Sequence, residues 1–296
     1  MSMHDRFPID LSLPTEIPEL HQVPEADEVS LFRRSGVGVV RGMFSLAEVE
    51  MIRAAFMDAA ETGPVDGLSE TNVEVKGQED PLLRYPRMLH PHRHPEMPAG
   101  KIAFQYMLDP RIVSVLEAVT GEGSLAAQSM FYYKPPGSRG QGLHQDNNPL
   151  AVNPGTCMAA WIALDPCDAE SGALSVVPGT GPLDLLCDVE TEDRSDLFFN
   201  GGSLVLPEGV KPVTVEMAPG DVLFFNGQLI HGSYPNTSSD RWRRTLIFHY
   251  VPESCEEVAA FYHPLLNVNG QEVKRRASPS GGPCGEFKVS MSMMGS

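Results

Sequence analysis

"LHQDNNPL", residues 143–150, sets an imidazole and a carboxylate two positions apart, at His144 and Asp146. Residues i and i+2 of an extended segment project to one face, so the pair can reach a single metal ion; a salt-bridged loop is the plainer account. What surrounds the stretch bears on the choice. It lies within a series of short β-type runs: "SLAAQSMFYYK" (124–134), "TCMAAWIAL" (156–164), "ALSVV" (173–177), "SLVL" (203–206), "VTVEM" (213–217), "DVLFFNG" (221–227) and "RTLIFHYV" (244–251). The turn signals PPG, ESG, PGTG and APGD separate them. Many short strands, so punctuated and without intervening helices, predict an antiparallel sandwich or barrel.

Upstream the pattern is helical. In "SLAEVEMIRAAFMDAAE" (45–61), Ser45 and Glu48 form a capping box. Leu46, Val49, Ile52, Ala55 and Phe56 then recur at helical spacing. A second helix is expected over 101–120, with Asp109 as a cap and Pro110 at a first helical position. The expected architecture is mainly β with flanking α-helices. It comprises an irregular arm over 1–27, a single domain over 28–265 and a mobile extension over 266–296. Within the domain, 28–123 is the helical part and 124–252 the β core.

Composition narrows the partners. The chain has 296 residues, 42% of them hydrophobic, enough to bury a core. Its formal net charge of −17 repels polyanions, which argues against nucleic acid and against an anionic membrane surface. The five cysteines are odd in number and show no CxxC spacing, which favours free thiols in a reducing compartment. The N-terminal residues lack the basic start and apolar run of a signal peptide, and no run is long enough to span a bilayer. A cytoplasmic location is expected.

A third donor for the His144–Asp146 pair is offered by His231 in "GQLIHGSYPNTS" (227–238), facing the pair across the barrel. Two neutral imidazoles and one carboxylate on one face leave three positions open around an octahedral ion, as in non-haem Fe(II) oxygenases. Such an ion needs those positions for a chelating co-substrate and O2. An acidic co-substrate needs a cation, and "RWRRTLIFHY" (241–250) supplies arginines at the start of a strand. Alternation groups Arg243, Thr245 and Ile247 on one face and Arg244, Leu246 and Phe248 on the other, without saying which faces inward.

The segments "YYKPPGSRGQGLHQDNNPL", "CMAAWIALDPCDAESGALSVVPGT" and "MAPGDVLFFNGQLIHGSYPNTSSDRWRRTLIFHY" resemble the phytanoyl-CoA dioxygenase family of Fe(II)/2-oxoglutarate oxygenases. The resemblance extends over roughly 28–252 and is densest from 128 onward. It implies a double-stranded β-helix, the jelly roll of cupin-like proteins. It implies His144, Asp146 and His231 as iron ligands and Arg243 as anchor of the distal carboxylate of 2-oxoglutarate. It implies Trp161 and Met130 as lining of the co-substrate pocket. The implied reaction hydroxylates an aliphatic C–H of a small molecule, with O2 consumed and 2-oxoglutarate decarboxylated to succinate and CO2. Halogenating relatives lack the carboxylate, so Asp146 implies oxygen transfer. Desaturation, epoxidation and cyclisation are alternatives on the same cofactors. A non-catalytic metal-binding jelly roll, or a Lewis-acid enzyme with no need of Arg243, are alternatives of other classes.

Three further residues are candidates to face substrate: Asn147 beside the carboxylate, and Arg87 and His92 in "YPRMLHPHRHP" (85–95). His90, His92 and His94 alternate there, but neither cysteine nor carboxylate at similar spacing supports zinc. His249, in a strand, is expected to be a satisfied core residue. The acidic stretch 183–202 is expected to be a solvated loop.

Overall fold

A computed structural model describes residues 16–70, 75–186 and 204–278. The chain enters through α1 (Ala26–Ser35), closed by a left-handed Gly36. It continues into β1 (Val37–Val40) and α2 (Leu46–Ala59). The Ser45–Glu48 capping box forms as expected, and Val49, Ile52 and Phe56 are buried. Leu46 is an exception to the apolar stripe: at the first helical position it is exposed. After α3 (Pro81–Arg84), β2 (Met88–Leu89) and a single 3-10 turn at Pro91–Arg93 come α4 (Pro98–Met107) and α5 (Pro110–Thr120). The helix expected over 101–120 is thus two helices. Proline cannot donate to a preceding turn, so Pro110 opens a new helix, with Asp109 accepting from the Arg111 amide.

The strands follow: β3 (Ser124–Tyr132), β4 (Gln141–His144), a short α6 (Asn147–Leu150), β5 (Met158–Ala163), β6 (Leu174–Val176), β7 (Val213–Thr214), β8 (Val222–Asn226), β9 (His231–Ser233) and β10 (Thr245–Pro252). Beyond them lie β11 (Glu257–Val258), β12 (Leu265–Leu266), β13 (Glu272–Val273) and β14 (Arg276–Ala277). The larger sheet runs β1-β8-β5-β10-β3-β12-β13, with β2 on β3; the smaller runs β4-β9-β6-β7. From β3 to β10 the chain passes back and forth between the two sheets. That is the double-stranded β-helix, reached with antiparallel pairing throughout both sheets.

The central strands β8 and β5, and β10 up to His249, alternate their residues between two cores. Leu246, Phe248 and Tyr250 of β10 pack outward with Ile52 and Phe56 of α2 and with Ile112 and Leu116 of α5. Ile247 points inward and packs with Trp161 and with Leu174 and Val176 of the smaller sheet. This settles the alternation in "RRTLIFHY": the odd-numbered positions face into the barrel.

The domain boundaries differ from expectation at both ends. Residues 266–278 are not a loose extension, for Leu265 and Leu266 are buried, β12 pairs with β3, and β14 pairs with β11. Two-residue strands are too short to show a period of two in sequence. β1, placed within the helical part, is an edge strand of the larger sheet. In the arm, Leu20 is buried and its amide donates to the Val39 carbonyl. Residues 1–15, 187–203 and 279–296, which include most of the acidic stretch together with Cys187 and Cys284, lie outside the described residues. Cys157, Cys167 and Cys255 are free and buried. Among the described residues no helix is long and apolar enough to cross a membrane.

The outer core sets the stability of the scaffold. Phe56 stacks on Phe131 with centroids 4.0 Å apart, and its carbonyl accepts from the buried Tyr133 hydroxyl. Phe56→Ala is expected to cost about 3–5 kcal/mol through lost burial and a cavity, read as a lowered urea midpoint.

Candidate metal centre

His144 and His231 are directly opposed in the antiparallel pairing of β4 with β9. They are neighbours within the smaller sheet, not residues facing across the barrel. Their rings lie 4.2 Å apart between centroids. Asp146 lies beyond the end of β4 with helical backbone angles, at the entrance to α6. Its carboxylate therefore arrives by a turn, and not by the i, i+2 geometry of an extended strand. The outcome is the same cluster. Asp146 Oδ1 is 3.4 Å from His144 Nε2, and Oδ2 is 3.6 Å from His231 Nε2. Each of the three residues offers one donor atom, and all three atoms lie within 4.8 Å of one another.

The surroundings orient each donor. His144 Nδ1 lies 2.8 Å from the Gly142 carbonyl and His231 Nδ1 lies 3.0 Å from the Leu229 carbonyl. A carbonyl only accepts, so both rings carry their proton on Nδ1 and turn the Nε2 lone pair toward the carboxylate. The Gln141 amide lies 3.1 Å from His144 Nε2. Asp146 Oδ2 also accepts from His249 Nε2 at 3.0 Å. His249 was expected to be a satisfied core residue; instead it holds the carboxylate, and its Nδ1 is buried without a partner among the described residues. Its place on the inward face of β10, with Ile247, is the signal that reveals it.

Electrostatics favours the form that binds a cation. Burial acts to raise the Asp146 pKa, but the surrounding His231, His249 and His144 side chains outweigh it, holding the group well below the usual carboxylate range. Burial pushes His231 down to about 4, with Asp146 offsetting only part of that, so the ring is neutral near pH 7. Gln145, between the two candidate ligands of "HQD", is buried. It donates to the Gln228 carbonyl at 2.7 Å and accepts from the Leu186 amide at 2.7 Å.

Arg243 is buried just before β10, its guanidinium 5.4 Å from the Trp161 ring centroid. Nε donates to the Gly172 carbonyl at 3.1 Å. Arg244 points the other way and is committed to Asp165 through Nε and Nη2, both at 2.7 Å. Arg243 shares a cleft with Arg87, Tyr132, Lys134 and Ser233. Trp161 and Met130 face the inner core, each opposite Ile247.

The remaining candidates have other duties. Asn147 Oδ1 accepts from the Val152 and Cys157 amides at 3.3 Å, which fixes the loop after α6. Arg87 reaches the cleft, but its guanidinium is paired with Glu70 and donates to the Tyr132 hydroxyl at 2.7 Å. The three histidines of 90–94 do not converge. His90 sits in a left-handed turn, His92 is buried against the Ser129 hydroxyl at 2.6 Å, and His94 lies near Glu96. The 3-10 turn breaks the alternation on which their shared face depends.

A jelly roll with two histidines and a carboxylate converging at one end of its smaller sheet defines a class of metal-binding oxygenase scaffolds. Residues 32–245 match the phytanoyl-CoA dioxygenase (PhyH) family, and the chain belongs to it. It is 31% identical over 163 residues to the peroxisomal phytanoyl-CoA dioxygenase of Rattus norvegicus, covering 53% of this chain and 48% of that one. It is 33% identical over 140 residues to the dioxygenase FrzG of Cladobotryum sp, covering 44% and 41%. The chain thus spans about half the length of the first of these relatives, and less of the second. Among solved structures it resembles the epimerase SnoN in complex with Fe3+, alpha ketoglutarate and nogalamycin RO. That match has a TM-score of 0.61 at 20% identity and covers 86% of this chain and 94% of that one. The carbocyclase SnoK from nogalamycin biosynthesis matches with a TM-score of 0.58 at 21% identity, covering 78% and 85%. At these identities the likeness is one of fold.

Burial also sets an acid limit on the metal-free protein. His92 is pushed down to about 3 and His231 to about 4, both from an ordinary 6.5. Below pH 6.5 the unfolded chain protonates these rings while the folded one does not, so stability falls as pH drops toward 4. Urea midpoints across that window should decline steadily, and His92→Gln should make the decline shallower.

Proposed function

We propose that the chain is an Fe(II)- and 2-oxoglutarate-dependent oxygenase that acts on an aliphatic C–H of a small molecule. The observation that carries this is the convergence of two Nε2 lone pairs and one ionised carboxylate, with His231 on the same strand as Ser233, which lines a cleft with the buried Arg243. The donor set fits Fe(II): two imidazoles and one carboxylate, a set that leaves positions on the ion for exogenous ligands. His144, Asp146 and His231 would hold the iron. Bound with 2-oxoglutarate and O2, it supplies an oxidant able to take hydrogen from an unactivated carbon, the co-substrate ending as succinate and CO2.

The protein's own part is positioning. The Gly142 and Leu229 carbonyls fix both histidine tautomers, and His249 fixes the carboxylate. Arg243 anchors the distal carboxylate of 2-oxoglutarate, since Arg244 is spent on Asp165. Trp161 supplies a flat wall beneath the guanidinium. The negative net charge disfavours polyanionic partners, a CoA thioester included, and points to a small metabolite. An epimerase and a carbocyclase share this fold, so the outcome after hydrogen abstraction depends on how the substrate lies.

Anaerobic titration of the metal-free protein with Fe(II) and 2-oxoglutarate is expected to raise a visible charge-transfer band. His144→Ala should abolish it. Arg243→Ala should need about tenfold or more 2-oxoglutarate to reach the same amplitude, the equivalent of one charge-assisted contact. A folded wild-type protein that never develops the band would overturn the assignment.

A further inference from the structure

Two buried basic side chains share one cleft, and neither meets a carboxylate among the described residues. Lys134 donates from Nζ to Ser233 Oγ at 3.0 Å and to the Tyr234 carbonyl. A neutral amine has two N–H donors, both engaged here, and its lone pair is left to take a third hydrogen. Arg243 uses Nε on Gly172 and reaches Thr245 Oγ1 from Nη1 only at 3.4 Å. Its Nη2 has no partner among the described residues. Ser233 Oγ already accepts from Lys134 Nζ and from the Gln141 amide at 3.2 Å, so its own hydrogen remains to be given away. All three side chains line the same cleft.

Lys134 is held there at some cost. Its φ is 38°, in the left-handed region that a residue with a side chain rarely adopts. Its carbonyl accepts from the Arg243 amide and from Asn236 Nδ2, each at 3.1 Å. A Cβ on Gly172 would come within 2.7 Å of Lys134 Cε, so the lysine stem crosses the chain where no side chain stands. The same Gly172 takes the Arg243 Nε donor. One strained residue thus places both basic groups, one by its side chain and one by its peptide.

Two like charges buried together are costly unless an anion joins them. Burial, and then the neighbouring Arg243, push the Lys134 ammonium well below its ordinary 10.5, while Cys167 acts weakly in the opposite direction. Arg87, Arg139, Tyr85, Tyr132 and Tyr133 are the other titratable groups around the cleft. Arg87 and Arg139 already face Glu70 and Asp80.

We propose that Lys134 is a second cationic anchor for the distal carboxylate of 2-oxoglutarate, beside Arg243, and that its Nζ takes a proton from solvent as the carboxylate arrives. This rests on the co-substrate assignment above and adds to it a residue and a proton. The step forms one N–H bond and transfers no electrons. The carboxylate brings the negative charge that the new ammonium balances.

Calorimetric titration of 2-oxoglutarate into Mn(II)-loaded protein, in two buffers of unlike ionisation enthalpy, tests this. The wild type should bind with net proton uptake. Lys134→Arg, always charged, should keep most of the affinity and lose the uptake. Lys134→Met should bind about tenfold or more weakly, without uptake, having lost one charge-assisted contact. 2-Oxobutanoate, which lacks the distal carboxylate, should bind every form without uptake. Equal uptake in wild type and Lys134→Arg, buffer-independent heats in the wild type, or full affinity in Lys134→Met would each overturn the proposal and leave the co-substrate assignment standing. A wild type that binds no 2-oxoglutarate would remove both. Should Lys134→Met fail to fold, the wild-type and arginine titrations decide.

Discussion

His144 and His231 meet because two short strands pair in one register, and the chemistry of the site depends on that pairing. The strands approach closely: a Cβ on Gly232 would lie 2.7 Å from the Gln141 carbonyl. Gln145 adds a second tie, linking the segment between the ligands to the turn that precedes His231. A one-residue slip would turn one imidazole to the opposite face of the sheet. The third donor then follows from local geometry, since the turn into α6 brings Asp146 back over the strand end.

Charge around the site is arranged by pairing. Arg87 faces Glu70, Arg139 faces Asp80 and Arg244 faces Asp165, each ion pair with little exposure to water. Against that background Lys134 and Arg243 stand out as buried basic side chains without a carboxylate among the described residues. His249, with one nitrogen on Asp146 and the other unpartnered among those same residues, is a further departure. Such departures concentrate where a fold has been shaped for ligands instead of for stability.

Much of this was legible in the sequence, for identifiable reasons. The capping box of α2 is a local hydrogen-bond pattern, and local patterns survive folding unchanged. The β core was marked by turn residues, and the three residues that cluster at the end of the smaller sheet by their chemistry and spacing. Residue type, however, does not fix direction. Whether Arg243 or Arg244 pointed inward depended on Phe248 and Tyr250 packing under the helices, a tertiary fact. The two helices separated at Pro110 looked continuous because both are apolar on one side. The strands from 265 to 277 were invisible because two residues cannot display a period. The histidines of 90–94 misled by composition: alternation means a shared face only if the backbone stays extended, and there it turns. His249 was passed over because a histidine in an apolar strand is usually core, and only the register of β10 shows it reaching Asp146.

The larger sheet carries a division of labour along single strands. On β10 the even-numbered positions belong to the packing against the helices, and the odd-numbered ones look into the chamber where chemistry takes place. Helices α2 and α5 pack against the even-numbered face, away from the odd-numbered one that carries Ile247 and His249. Selection can therefore work on the two faces of one strand almost independently. A lineage can change which molecule the chamber accepts, one inward residue at a time, while the machinery that keeps the chain folded is inherited unaltered.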